Sequence, residues 1–515
     1  VNYENRMRIN KEEKHKMKKI IIIGGGIAGL SAGIYAQKYG FESIIYEKHN
    51  IVGGQCTGWD REGYHIDNCI HWLTGSSKGT DLNDAWREVG ALGDDINLIQ
   101  IPYFGKFEFD NLTITLWKNY DKLRAELKGI SPEDGTLIDE LINDIKVAGK
   151  MDMPAKAPFD MMSAIEILKL GIKCKDAGLV MKKYASVSCE EYGNKYHHPA
   201  LKKLFKYAMP DGYSIAAFLF SMATVCCGDG AIPEGGSRKM ALRMAEKYNS
   251  LGGRIVTKMG VDEIVIANQG TSKARAIGVK LSDQTTVLAD YVIAAADVYY
   301  TFEKLLKGQY HDEQFTMRFN DTKNYPLPTS AHAAFAVDAD LKEYPMTLTF
   351  ETTPYTVGEA TYDLLSIRNY AYEPEFAPKG KSVITTFINQ NDADYLWWEK
   401  CYQNEEAYKA EKERIGKLCE ERIVKRFPEL DGKLRMIDSF TPMTYKRFCS
   451  AYHGAWMSFL MTPGAKMLNH KGIIRGLKNC YLAGMYMQAP GGLPIALVTG
   501  KFAVQRICRQ EKIKI

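Results

Sequence analysis

One stretch narrows the choice of fold more than any other: KKIIIIGGGIAGL at residues 18–30, then a helical pattern to Lys38, a stop at Gly40, and a second apolar run, Phe41 to Tyr46, ending on Glu47. Four successive β-branched residues suit a strand buried on both faces. They run straight into Gly24, Gly26 and Gly29, the GxGxxG spacing. Each glycine has its own reason: Gly24 permits the tight turn, Gly26 lets the backbone approach a pyrophosphate, and Gly29 lets helix and strand lie close. The helix that opens there offers free N–H groups and the positive end of its dipole to phosphates. Glu47 stands 18 positions beyond Gly29, where a carboxylate accepts from ribose hydroxyls and repels a 2′-phosphate. Strand, glycine loop, helix, second strand and acid are all in register, so the segment reads as a complete βαβ dinucleotide unit.

The chain has 515 residues, 45% of them hydrophobic and 25% charged, enough to bury a large core spread over two domains. The net charge of +5 is mostly local, because residues 1–19 hold seven Lys/Arg against three Glu. The remainder offers no basic face for nucleic acid. Eleven cysteines run from Cys56 to Cys508 without a CxxC pair, which fits a reducing, cytoplasmic compartment. Cys56, His65, Cys69 and His71 lie close together, but their spacing is not that of a structural zinc site and no metal is expected. The longest apolar run, Ile215 to Cys227, falls short of the ~20 residues of a membrane span. Lys16 to Lys19 read as a solvated charge run or as a contact with the inner face of a membrane. Residues 1–16 read as an extension outside the fold.

After Glu47 come Lys48, Gly53-Gly54-Gln55 and then GYHID at Gly63 to Asp67. A Gly-Gly pair just past the ribose acid resembles the flavoprotein superfamily of amine oxidases, phytoene desaturases, carotenoid isomerases and Rab GDP-dissociation inhibitors. That superfamily often has Arg or Lys where this chain has Gln55, and Gly where it has Cys69. Residues 233–297, from PEGGSRKMALRMAEKYNSLGGRI through VDEIVI and AIGVKL to ADYVIAAAD, resemble the second part of the flavin domain in the phytoene desaturase group. Asn479 to Gly484, followed by APGGLPIALVTGKFAVQRI, is similar to that group's closing segment and last helix, with Pro494 in the first turn.

The resemblance implies an α/β fold: a discontinuous, Rossmann-like FAD-binding domain of the glutathione reductase type (17–95, 228–305 and 470–515), with an inserted α+β substrate domain (96–227 and 306–469). It implies FAD as cofactor. The first loop would hold it through Gly24, Gly26, Ala28 and Gly29, and the second strand and following loop through Glu47, Lys48, Gly53, Gly54 and Gln55. Val261 would face the adenine, and Gly484, Gly491, Gly492, Leu493 and Pro494 the flavin ring. The activity implied is desaturation, saturation or isomerisation at carbon–carbon bonds of an extended apolar substrate such as an isoprenoid, polyene or other lipid. An amine oxidase-type flavoenzyme and a non-catalytic lipid escort like the GDP-dissociation inhibitors are the alternatives. The resemblance places His71 beside the isoalloxazine and His453 near its reactive face, as candidate proton donors or acceptors. The competing reading of each is a packed, hydrogen-bonded histidine.

In the substrate half, KFEFDNLTITLW predicts a hairpin turning at Asp110-Asn111. Ser131-Pro132-Glu133-Asp134 predicts a capped helix start, Ile215 to Cys227 an apolar helix, and Glu405 to Phe427 a charged one. His332 to Val337, Met346 to Phe350 and Ser382 to Asn389 read as strands.

Overall fold

A computed structural model describes residues 17–515; the expected extension at 1–16 lies outside the described residues. The first βαβ unit is strand β1 (Lys19–Ile23), helix α1 (Ile27–Lys38) and strand β2 (Glu42–Tyr46). The chain then leaves for a hairpin, β3 (Tyr103–Phe109) and β4 (Leu112–Trp117), and for helices α2 (Ala164–Tyr184) and α3 (Ile215–Cys226). It returns with α4 (Gly236–Ser250), β5 (Arg254–Val256) and β6 (Tyr291–Ala294). A second excursion supplies β7 (Thr329–Val337), β8 (Thr347–Val357), β9 (Ala360–Asn369), β10 (Ser382–Gln390), α5 (Glu405–Arg426) and β11 (Leu434–Phe440). Strand β12 (Cys480–Leu482) and helix α6 (Leu493–Glu511) close the fold.

Five of these strands form a parallel sheet in the order β5-β2-β1-β6-β12. Its centre explains the isoleucine run. Ile20 and Ile22 point into one apolar core and Ile21 and Ile23 into another, so β1 is covered on both faces. The expected Rossmann-like α/β unit is therefore present, with its strands drawn from three separate stretches of chain. The other large sheet has the order β11-β7-β10-β9-β8-β3-β4 and is antiparallel except where β8 meets β3. All of its strands come from the two excursions.

The hairpin turns at Asp110 and Asn111, both with positive φ (51° and 63°), the backbone a tight two-residue turn requires. The helix expected at Ser131 differs in detail. One 3-10 turn, Pro132–Asp134, precedes the helix Gly135–Ala148, and the Ser131 hydroxyl donates to the Asp134 carboxylate at 2.6 Å instead of capping a backbone N–H. Helix α3 has ten of its twelve residues buried, which accounts for its composition without a membrane. All eleven cysteines are free thiols.

Candidate active site

The site begins at the loop between β1 and α1. Gly24 has φ +98°, and a Cβ there would lie 2.8 Å from the Ala295 carbonyl oxygen; a Cβ on Gly29 would lie 1.9 Å from the Gly24 oxygen. Both are therefore demanded by the protein's own packing, and Gly29 sits behind the loop, not on the cavity. Gly26 differs. Its φ is −72°, and a Cβ on it would meet nothing nearer than Gly53 O at 3.8 Å. No contact within the chain requires glycine there, so the space that its missing side chain leaves is open to a ligand. Gly26 also ends the loop as the N-cap of α1 with no side chain capping the helix, which leaves first-turn N–H groups for an anion.

A second loop lies against the first. Gly53 N donates to Gly25 O at 2.9 Å, and Gly53 and Gly54 have φ of +109° and +61°. Glu47, 7% exposed, holds the two together. One carboxylate oxygen accepts from Gly25 N at 2.6 Å and the other from His49 N at 2.8 Å. Lys48 donates through Nζ to Arg447 O (3.0 Å) and Ser450 Oγ (2.6 Å), and its burial lowers its pKa. Gln55 Nε2 donates to Ala455 O at 2.8 Å. Across the cavity Gly491 and Gly492, with φ of +90° and +88°, lead into α6, whose first turn carries Pro494 and no side-chain cap. Two uncapped helix N-termini thus open on one space.

That space is a single cavity of about 2300 Å³, well above the ~300–1,000 Å³ of an ordinary ligand pocket. Every residue expected to hold FAD lines it except Gly29. It runs from the glycine loops past Val261 at one side to an apolar chamber walled by residues such as Leu170 and Met181 of α2 and Ala216 and Phe220 of α3. No group of three His, Cys, Asp or Glu side chains among the described residues is arranged to hold a metal ion.

The two candidate histidines separate. His71 lines the cavity and presents its ring to the lumen. Its place deep in the fold, with Arg368 and His332 nearby, pushes its pKa well below the usual value and keeps it neutral. His453 is absent from the cavity lining. Its ring is stacked between Tyr395 (4.5 Å) and Tyr452 (3.9 Å), and Nδ1 meets Asp392 Oδ1 at 2.6 Å.

Behind the cavity wall, Asp67 is buried and accepts from Ser237 N and Ser237 Oγ, both at 2.6 Å, so it caps α4 from a distant strand. Several groups of the lining lay outside the sequence reading. Tyr445 donates to Asn68 Oδ1 at 2.9 Å, and Ser330 bonds His332 Nε2 at 2.8 Å. Burial pushes His332 down to about 3, so that imidazole is neutral. Asp297, beside the glycine loop, is raised to about 6 by burial although it accepts from the backbone of Tyr300 and Tyr452. Arg368 reaches the lumen from β9. The only sequence signal for it was a cationic residue inside an otherwise strand-like LLSIRNY run.

Fold and site together define a dinucleotide-binding oxidoreductase, and comparison with known proteins agrees. Residues 22–89 match the NAD(P)-binding Rossmann-like domain. Over 464 residues, 85% of this chain and 73% of the relative, the sequence is 23% identical to the chloroplastic prolycopene isomerase of Arabidopsis thaliana. Over 524 residues, 96% of each protein, it is 23% identical to the 4,4'-diapophytoene desaturase (4,4'-diapolycopene-forming) of Methylomonas sp. Over 482 residues, 85% of this chain and 76% of the relative, it is 22% identical to the all-trans-retinol 13,14-reductase of Homo sapiens. An oxidoreductase from Methanosarcina mazei shares the fold with a TM-score of 0.59 at 16% identity, covering 95% of this chain and all of that one. Cyclohexylamine oxidase from Brevibacterium oxydans IH-35A does so with a TM-score of 0.56 at 14% identity, covering 96% of this chain and all of that one. Over most of its length the chain is thus similar in sequence to a carotenoid isomerase, a carotenoid desaturase and a retinol reductase, the similarity that its three sequence blocks implied.

Proposed function

We propose that the protein is an FAD-dependent oxidoreductase acting on carbon–carbon bonds of an extended, largely apolar substrate, by desaturation, saturation or isomerisation. The observation that carries this reading is the continuity of the cavity: a glycine cradle with two uncapped helix N-termini opens without a wall into an apolar chamber. FAD bound in the cradle would supply hydride exchange with carbon. The chain does the rest. With FAD in the cradle, the N-terminus of α1 would face phosphate, Glu47 would fix the loop and accept from ribose hydroxyls, and the N-terminus of α6 would offer partial positive charge to the flavin edge. His71, neutral and turned to the lumen, can accept a proton from the substrate. The relatives are named as an isomerase, a desaturase and a reductase, which supports carbon–carbon chemistry while leaving its direction open. The intact cradle weighs against a non-catalytic escort, and the amine oxidase reading rests on likeness of fold alone. The test is the visible spectrum of purified protein. Oxidised-flavin bands are expected, and a colourless protein that cannot be reconstituted with FAD would overturn the reading.

The same reading includes contact with the cytoplasmic face of a membrane, through α2 more than through Lys16 to Lys19. Of its 21 residues only Ala177 and Tyr184 are buried. Ile165, Leu168, Ile172 and Leu179 are 66%, 64%, 69% and 59% exposed along one stripe, with Lys169, Lys173 and Lys175 beside them, while Leu170, Cys174 and Met181 line the cavity. Such a helix suits the interface of an anionic bilayer, and it would admit an apolar substrate directly from lipid. Among the described residues no helix is long and apolar enough to cross a membrane. Sedimentation with anionic vesicles should carry the protein down, and replacing Ile165, Leu168 and Ile172 by Ser should leave it in the supernatant.

A further inference from the structure

We propose that the floor of the cavity holds a carboxylate-binding subsite centred on Arg368, so that the substrate is an acid-headed apolar chain and not a plain hydrocarbon. The proposal rests on the cavity being the substrate chamber.

Arg368 stands on β9 with 8% of its surface exposed, and that remainder faces the cavity. Its guanidinium is under-satisfied. Nη2 donates to Ile70 O at 2.7 Å and makes a long contact with Tyr372 OH at 3.4 Å, but Nε is buried with no partner. The Tyr370 ring, 5.2 Å from Cζ, compensates only in part. Arg368 is in none of the salt bridges formed among the described residues. Asp67 acts on it from a distance and helps to keep it protonated, yet that carboxylate spends its oxygens on Ser237. The cross-strand partner of Arg368 is Thr347 on β8, whose Oγ1 is also buried without a partner and which also lines the cavity. The Ile70 carbonyl anchors Arg368 against His71, the next residue along the chain, whose ring faces the same lumen.

A buried cation without a counter-ion is costly, and a hydrocarbon laid over it would leave the cost in place. A carboxylate is the group that would relieve it. Its two oxygens match the planar fork of guanidinium donors, and neutral His71 adds a donor beside it. A site built this way discriminates strongly, because an uncharged analogue strands its polar groups. The remaining walls are predominantly apolar and suit the chain that follows the head group.

Fluorescence titration of the FAD-loaded protein at pH 8 with cis-parinaric acid and with its methyl ester, two polyenes differing only in the head group, tests the proposal. The acid should bind more tightly than the ester by ~10–100-fold. Arg368→Met should remove that preference while leaving flavin content and absorption unchanged, and Arg368→Lys should keep part of it. Equal binding of acid and ester by the wild type would overturn the proposal, and so would an unchanged preference in Arg368→Met. Loss or spectral change of the flavin in Arg368→Met would also overturn it, assigning the guanidinium to the cofactor. Should that variant fail to fold, the acid–ester comparison on the wild type decides alone. A protein that prefers the acid but takes up no FAD would keep the subsite and overturn the proposed redox function instead.

Discussion

The cavity has one end built from main chain and another built from side chains. At the dinucleotide end Gly24, Gly26, Gly53, Gly54, Gly491 and Gly492 bring backbone to the surface, and two helices present bare N-termini. At the far end the lining comes from strands β8 and β9 and helices α2 and α3, through Thr347, Arg368, Leu170 and Phe220. The first kind of surface has nothing to trim, so a substitution there either fills ligand space, as at Gly26, or collides with the protein's own backbone, as at Gly24 and Gly53. The second can change shape or charge one residue at a time while the sheet beneath it stands. Cofactor binding should therefore respond to mutation in an all-or-none way, and substrate choice by degrees.

The sharpest break of this contrast is Gly26→Val. Because a Cβ there touches nothing in the protein closer than 3.8 Å, the variant should fold, weaker by about 1 kcal/mol at most for the lost glycine N-cap, and take up no FAD. A yellow Gly26→Val protein would show that the cradle lies elsewhere. Next come the histidines. His71→Gln should leave flavin bound and lower turnover per flavin by ~10²–10⁴, as for a lost general acid or base. His453→Gln, stripped of its bond to Asp392 between two tyrosines, should keep that rate and lose about 1–3 kcal/mol of stability. Equal effects of the two on rate would erase the distinction drawn between lumen and core.

Glu47→Ala should weaken FAD retention through dialysis by ~10–100-fold, the range for charged hydrogen bonds. It should also lower the urea midpoint, because Glu47 holds Gly25 N and His49 N. Retention without loss would mean that its carboxylate serves only the loop. The smallest effect concerns pH at the side-chain end. The folded pKa of His332, about 3, lies below the unfolded ~6.5. The unfolded chain therefore binds the extra proton first, and stability is lost as pH falls. Between pH 7 and 5 this group should cost about 2 kcal/mol. Urea titrations of wild type and His332→Gln should converge toward acid by that amount; parallel curves would show that His332 is solvated.

The dinucleotide end was legible because its information is local. A β-branched run, three glycines and an acid at the end of the next strand specify β1, α1 and β2 within thirty residues of chain, and Asp110-Asn111 marked its hairpin for the same reason. The far end was not. Arg368 faces the cavity only because β9 pairs with β8 in one register, a fact stored in two strands and the turn between them. Asp67 caps α4 from a strand whose sequence says nothing of a helix 170 positions away. His71 and His453 looked alike in sequence; a left-handed turn at residue 453, with φ 50°, and two flanking tyrosines took one of them out of the lumen. Helix α2 mixes lysine and isoleucine so evenly that only its position shows which face was left uncovered.

The order of the parallel sheet has a consequence for how the chain is made. Strand β12 completes that sheet beside β6, and helix α6 packs on α1, with Ser31 Oγ donating to Leu497 O at 2.7 Å and Gly500 lying so close that a Cβ would stand 2.3 Å from Ala28 O. The βαβ unit of β1, α1 and β2 thus waits for a helix 466 positions further along the chain before its outer face is covered. Contacts that span so much sequence form late and slowly. During synthesis the growing polypeptide holds an open sheet edge and an unfinished cradle, and any product released before β12 and α6 emerge is destined for chaperone or protease and not for a slower version of the same catalyst.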